Sequence, residues 1–219
     1  SEIEFKLLVR DAQALEALAA AAVARGARVQ APVLQVNHFF DTGGGDLRAR
    51  DAIVRLRDED GRWILAAKGS AEQVGELHRR TEIELDVTAD EAERILAGAL
   101  DPLGILELGL GRLGLLASLR AAVGQRALAR AGSFQNERTR VGPLEVDGSE
   151  LYLELDRTRF PGGLVHHEIE FEVPEGLEQP AGELLHALVT ASGAESKPAS
   201  SKAARFFSAL ERQGNRPTS

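Results

Sequence analysis

The chain has 219 residues, 43% hydrophobic and 27% charged, and its 34 acidic against 26 basic residues leave a net charge of −8. That length suits one domain able to bury a core, and the acidic balance argues against nonspecific binding to nucleic acid or to an anionic membrane surface. Cysteine is absent, which excludes disulfides and thiolate metal sites, and no leader or apolar run approaching the roughly 18 residues of a membrane span is present. The expectation is a cytoplasmic protein of one domain, residues 1–219, with no membrane segment.

In chain order, residues 1–10 alternate as a strand, with Glu2, Glu4 and Lys6 on one face and Ile3, Phe5 and Leu7 on the other. Asp11 is a suitable N-cap for a helix over Ala12–Arg25 ended by Gly26, with Leu15, Leu18, Ala22 and Val23 as its apolar stripe. Val33–Thr42 reads as a strand dividing Val36, His38 and Phe40 from Asn37, Phe39 and Asp41, and Gly43–Gly45 as a loop. Ile53–Asp58 and Arg62–Lys68 form a hairpin turned at Asp60-Gly61, with Lys68 on the Arg62, Ile64 and Ala66 face. Arg79–Val87 is the next strand, after which Thr88 and Glu91 make a capping box for a helix to about Leu100. Residues 101–132 have weak periodicity and suggest one helix around Leu113–Leu128. A second hairpin joins Arg138–Val146 to Glu150–Arg157 through Asp147-Gly148, then a turn at Pro161–Gly163 leads to a strand over Val165–Val173. Helices over Pro180–Ala191 and Ser201–Arg212 close the chain, the second capped by Ser200 or Ser201.

One device recurs along these strands: like charges two residues apart. Glu2 and Glu4, Glu82 and Glu84, Glu154 and Asp156, and Glu168 and Glu170 are acidic pairs, whereas Arg55 and Arg57, and Arg138 and Arg140, are basic. Residues i and i+2 lie ~6.6 Å apart on one strand face. Such a pair repels by about 0.6 kcal/mol in water and roughly 2.5 kcal/mol at an effective dielectric of 20. On a solvated face the pairs are cheap; in an enclosed one they need counter-charges, metal ions or a charged ligand. Arginine suits forked binding of phosphate oxygens, and carboxylates clustered without His or Cys suit hard ions such as Mg²⁺ or Mn²⁺. A barrel with its polar side inward and amphipathic helices outside would accommodate the whole set.

The ordered series Glu2-Ile3-Glu4-Phe5-Lys6, Asn37 to Thr42, Arg55-x-Arg57, Lys68, Glu82-x-Glu84, Arg138-x-Arg140, Glu154-x-Asp156, Glu168-x-Glu170 and Ser201-Lys202-Ala203-Ala204-Arg205 resembles the CYTH superfamily, the triphosphate tunnel metalloenzymes. The likeness is nearest to the CYTH part of bacterial inorganic triphosphatases, without the helical CHAD domain that some of those carry. The resemblance implies an α+β fold: an eight-stranded antiparallel closed β-barrel, polar within and covered by helices, enclosing a tunnel for a linear triphosphate. It implies that Lys6, Arg55, Arg57, Lys68, Arg138, Arg140 and Lys202 hold the substrate. By the same resemblance Glu2, Glu4, Glu82, Glu84, Glu154, Asp156, Glu168 and Glu170 hold Mg²⁺ or Mn²⁺, and Glu2, Glu4 and Lys6 are catalytic. The implied reaction is hydrolysis of inorganic triphosphate to pyrophosphate and phosphate. The alternatives are a class IV type adenylate cyclase, a thiamine triphosphatase, or a non-catalytic sensor of polyphosphate or nucleotide. The expected partner is a small-molecule triphosphate, with no nucleic acid and no membrane; the sequence leaves monomer and homodimer open.

Lys197 competes with Lys202 for the last basic position, and the Ser-Lys-Ala-Ala-Arg match favours Lys202. His166 and His167 are adjacent on a strand, so they face opposite ways and cannot share one ion. His38 and Trp63 read as packed residues, and His78-Arg79-Arg80 as a solvated strand entry. Gly43–Gly45 is not a P-loop, since no Gly-Lys-Ser/Thr follows.

Overall fold

The computed structural model describes residues 2–111 and 114–214. They form an α+β fold with a large antiparallel sheet of twelve strands and six α-helices among the described residues. The hydrogen-bonded strand order has free ends at β6 (Glu72–Val74) and β8 (Glu82–Val87), so ladder bonds do not close the sheet into the expected eight-stranded ring. The chain divides into two compact units. Among the described residues, one comprises those of Gln35–Ala71 and Arg80–Gln135; the other comprises Glu2–Leu34, Glu72–Arg79 and residues 136–214.

In the first unit, β3 (Val33–Asp41), β4 (Ile53–Glu59), β5 (Arg62–Lys68) and β8 pair in that order. The β4–β5 hairpin turns where expected, with Asp60 and Gly61 both at positive φ (51° and 88°), the conformation that a two-residue turn between twisted strands requires. One face of this sheet presents Val54, Leu56, Leu65 and Ala67 to the helices α2 (Ala89–Leu96), α3 (Pro102–Leu110) and α4 (Gly114–Val123), whose Ile95, Leu103, Leu106, Leu116 and Leu119 complete an apolar core. The capping box of α2 forms as predicted from Thr88 and Glu91. Between residues 101 and 132 the single expected helix is instead two, and its expected start at Leu113 lies outside the described residues. Asp101 caps α3 by accepting from the backbone of Leu103 and Gly104, with Pro102 in its first turn.

In the second unit, β1 (Glu2–Val9) pairs with β11 (Val165–Glu172), which pairs with β10 (Ser149–Arg159). A short strand, β12 (Ser196–Pro198), lies along the other side of β1. Ile3, Phe5, Leu7 and Val9 alternate into a core with Leu153, Leu155, Ile169 and Phe171, covered by α1 (Ala12–Val23) and α5 (Glu178–Ser192) through Leu15, Leu18, Ala181, Leu185 and Leu188. Asp11 caps α1 by accepting from Ala14 N, but the helix stops at Val23, two residues before the predicted end. The last helix, α6 (Lys202–Gly214), follows Ser201, whose hydroxyl accepts from Ala204 N.

Two strand predictions change. The single strand over Arg79–Val87 is interrupted at Thr81, giving β7 (Leu77–Arg80), paired with β6, and β8, paired with β5. β9 begins at Ala129, well before Arg138, and runs to Val146.

Candidate active site

Strand alternation decides which charged residues meet. In the second unit, register sets Lys6 opposite Glu170 on β11, with Glu154 of β10 on the far side of Glu170; Leu8 and Asp156 flank Glu168 likewise. The face opposite the helix-covered core is therefore a row of charges, and it is buried: Glu4 is 5% exposed, Lys6 8%, Glu170 6%, Asp156 and Glu168 0%. Buried charges persist only when paired. Lys6 Nζ lies 2.5 Å from Glu170 Oε1 and 2.8 Å from Glu4 Oε1. Arg138 on β9 forks onto Asp156 through Nε at 2.8 Å and Nη2 at 2.6 Å, and also pairs with Glu154 and Glu170. Lys202, at the first turn of α6, sits 2.7 Å from both Asp156 and Glu170 and 3.2 Å from Glu168. Lys202 thus lies on the polar face, and Lys197 makes no ion pair with this cluster.

The charges shift one another. Burial alone would push the Lys6 ammonium down, but Glu170, Glu4, Glu168 and Glu2 outweigh it and raise its pKa above the ordinary value. Lys202 is raised in the same way, against burial, by Asp156, Glu168 and Glu170. Burial opposes ionisation of Glu170, yet Lys202, Lys6 and Arg138 hold it well below the usual carboxylate range. Asp156 is also lowered against burial, by Arg138 and Lys202. Glu154 goes the other way: burial dominates and raises it. Glu2, half-buried on the same strand face, contributes to the field at Lys6.

In the first unit the register places Arg55 across from Ala66 and Arg57 across from Ile64, with Lys68 opposite Glu82 and Ala66 opposite Glu84. Arg55, Arg57, Lys68, Glu82 and Glu84 therefore share the face opposite the apolar core. Lys68 Nζ is 2.8 Å from Glu82 Oε2. The arginines pair more loosely: Arg55 Nη2 is 3.6 Å from Glu82 and 3.5 Å from Glu84, and Arg57 Nη2 is 3.5 Å from Glu84. These distances exceed the ~2.9 Å of a good N–H···O bond. The buried Nε of Arg55 has no hydrogen-bond partner among the described residues.

Arg140 stands apart from the others. Its side chain is 48% exposed, 3.9 Å from Glu154 and stacked over the Tyr152 ring at 4.5 Å, at the rim rather than within the row. Three buried residues support the row though the sequence reading gave them no role, Arg205 among them although it ends the Ser201–Arg205 match. Asn136 donates through Nδ2 to Asp156 Oδ1 at 2.9 Å and accepts from the Thr158 hydroxyl at 2.7 Å. Arg205 binds Glu168 through Nη2 and donates from Nη1 to His166 Nδ1 at 3.1 Å. The only sequence signal for Asn136 was its position two residues before Arg138 on a strand. His78, expected to be solvated, is buried and bonded to the Ala199 carbonyl at 2.9 Å; Arg80 is buried beside Asp51. His38 stacks on Trp63, as expected of a packed residue.

The donors suit a hard divalent cation in kind, since every candidate ligand is a carboxylate, and Glu168 Oε1 is a buried oxygen with no hydrogen-bond partner among the described residues. In this arrangement the carboxylates are drawn onto Lys6, Arg138, Lys202 and Arg205, and no three acids or imidazoles among the described residues converge as a coordination shell. No helix among the described residues is long and apolar enough to cross a membrane.

Comparison with known proteins places this geometry. A Hippeastrum protein described as an adenylyl cyclase candidate with a dominant triphosphatase activity superposes with a TM-score of 0.78 at 26% identity, over 95% of this chain and 96% of its own. A Bacillus halodurans protein described as an adenylate cyclase candidate gives 0.67 at 22% identity, over 94% and 97%. One from Vibrio parahaemolyticus, described likewise, gives 0.56 at 16%, over 94% and 97%. The last two likenesses speak for the fold alone. The CYTH domain signature matches residues 1–207, and the chain belongs to the CYTH domain family.

Proposed function

We propose that this chain is one functional domain, residues 1–219, that hydrolyses inorganic triphosphate to pyrophosphate and phosphate with the help of a divalent ion. CYTH proteins bind triphosphate substrates, and members are typically triphosphatases or cyclases. The observation that carries the reading is charge set opposite apolar cores: a row of paired carboxylates and cations, buried in the second unit and half-buried to exposed in the first, occupies the sheet face opposite each core. Water-exposed charge would serve solubility; buried charge carries a desolvation cost that a charged ligand offsets.

In this reading Lys6, Arg55, Arg57, Lys68, Arg138 and Lys202 hold phosphate oxygens, with Arg140 contacting the substrate from the rim. The loose pairing of Arg55 lets its fork turn to an oxyanion, and its Nε gains the acceptor that it lacks. Glu2, Glu4, Glu82, Glu84, Glu154, Asp156, Glu168 and Glu170 are the oxygen donors that would hold Mg²⁺ or Mn²⁺, which when bound neutralises phosphate charge and helps activate the attacking water. As the cations pass from carboxylates to phosphates, the row exchanges one set of opposite charges for another, so a polyanion enters without leaving bare charge. Water then attacks the terminal phosphorus, the bridging P–O bond breaks, and pyrophosphate leaves with the bridging oxygen while the proton of the water passes to solvent. Lys6, held positive by its four acidic neighbours, neutralises the charge that grows on the transferring group.

The test is release of phosphate from tripolyphosphate, ATP and thiamine triphosphate, each with Mg²⁺, with Mn²⁺ and with a chelator. The proposal expects tripolyphosphate to be turned over fastest and the chelator to abolish release. Formation of cyclic AMP from ATP as the main product would replace hydrolysis by a cyclase reaction, and tight binding with no turnover would leave a sensor.

A further inference from the structure

The charge row of the second unit does not end in acids. Along β1 and β11 the pairs run Lys6 with Glu170, then Leu8 with Glu168; two residues further come Arg10 and His166. On the other side of β1, Lys197 stands opposite Leu8 and Ser196 opposite Val9. At this end of the strands lies an open pocket of about 440 Å³, lined by Arg10, His166, His167, Glu195, Ser196 and Lys197 among others. That volume falls within the roughly 300–1,000 Å³ typical of small-ligand sites.

Three features separate this pocket from the neighbouring row. Lys6, Arg138, Lys202 and Arg205 are each bonded to carboxylates, whereas Lys197 makes no ion pair among the described residues. Arg10 gives its Nε to Asp11 at 2.8 Å, and its two terminal amino groups retain their donors. His166 accepts at Nδ1 from Arg205, and a guanidinium can only donate, so the neutral ring carries its proton on Nε2 and offers a donor there. Lys197, Arg10 and His166 thus line the pocket with one carboxylate, Glu195, while Asp11 pairs with Arg10 from beside it, in a chain whose net charge is −8.

We propose that this pocket is a phosphate-oxyanion subsite, for which the chain has no other assigned use of Lys197. Its occupant is either free orthophosphate or the outer phosphoryl group of a polyphosphate longer than three units whose remainder lies along the charge row. The second source rests on the triphosphate reading; the first does not. Arg10 and Lys197 are exposed, so replacing them leaves both cores untouched.

The experiment is calorimetric titration of orthophosphate, tripolyphosphate and tetrapolyphosphate into the wild-type chain, the Arg10→Ala/Lys197→Ala double variant and Lys6→Ala. The expected result is that orthophosphate binds wild type and Lys6→Ala alike, and that the double variant loses about tenfold or more, the scale of charge-assisted bonds to phosphate. A tetrapolyphosphate preference over tripolyphosphate that vanishes in the double variant identifies the outer phosphoryl group as the occupant; its absence alongside Lys197-dependent orthophosphate binding identifies the free ion. Orthophosphate and tetrapolyphosphate affinities unchanged in the double variant, or no binding of either by wild type, overturn the proposal. If tripolyphosphate fails to bind while orthophosphate binding needs Lys197, the triphosphate reading falls and the subsite stands.

Discussion

Lys6 and Glu170 face each other across the β1–β11 ladder, with the ammonium 2.5 Å from the carboxylate and both side chains nearly excluded from solvent. Removing one member strands the other. Lys6→Met is expected to cost about 3–5 kcal/mol, the scale for breaking a buried pair. The double variant Lys6→Met/Glu170→Leu is expected to be less destabilised than the sum of the two single changes. Urea denaturation of the four proteins checks this, and additive losses would mean the pair is not coupled.

Thr158 acts on Asp156 through Asn136. Thr158→Val removes the hydroxyl donated to Asn136 Oδ1 and leaves a buried amide oxygen without that donor, at an expected cost of about 1–3 kcal/mol. Thr158→Ser keeps the donor and is expected to retain most of that stability. Comparing their melting curves separates the lost hydroxyl from the lost methyl; a Val variant as stable as wild type, with the loss confined to Ser, would put the effect in packing.

Acid should weaken the fold through Glu170 and Asp156. Their folded pKa values lie below the ordinary 4.5 and 3.8, so the unfolded chain takes up protons first as pH falls. Their contribution is fully present above those ordinary values and is lost as pH drops through the lower folded ones. Glu154, raised by burial, opposes this: its contribution is present below 4.5 and is lost as pH rises through its folded value. Metal-free Glu170→Gln is therefore expected to show a flatter fall in stability below about pH 4.5 than wild type, measured by denaturation at several pH values; parallel curves would contradict the shift.

Gly142 has no room for a side chain. A Cβ there would lie 2.5 Å from the Tyr152 ring and 2.9 Å from the Leu151 carbonyl, which as backbone cannot move aside alone. Gly142→Ala is expected to cost about 1–3 kcal/mol, read as a lowered urea midpoint.

Much of this was legible in the chain, because it was written in short-range patterns. Period-two charge placed Glu4, Lys6, Glu168 and Glu170 on one face, and the Asp60-Gly61 and Asp147-Gly148 turns formed with both residues at positive φ. The helix α3 was not legible: its sequence Pro-Leu-Gly-Ile-Leu-Glu-Leu-Gly-Leu is apolar on several sides, so periodicity could not reveal it, and only the Asp101-Pro102 cap marked its start. The break at Thr81 was hidden because alternation continues across it while the strand partners change. The supporting roles of Arg205 and Asn136 were missed for a further reason. Their partners Glu168 and Asp156 are 37 and 20 residues away, a separation that no local pattern encodes.

A linear triphosphate is the ligand that the cations of the charged sheet faces are proposed to hold. Calorimetric binding of tripolyphosphate, with a divalent ion present, to the wild-type chain and to Arg55→Ala tests this directly. Wild type is expected to bind saturably, with affinity weakened about tenfold or more in Arg55→Ala and the melting temperature little changed. Failure of wild type to bind tripolyphosphate, or equal affinity in the variant, would contradict it.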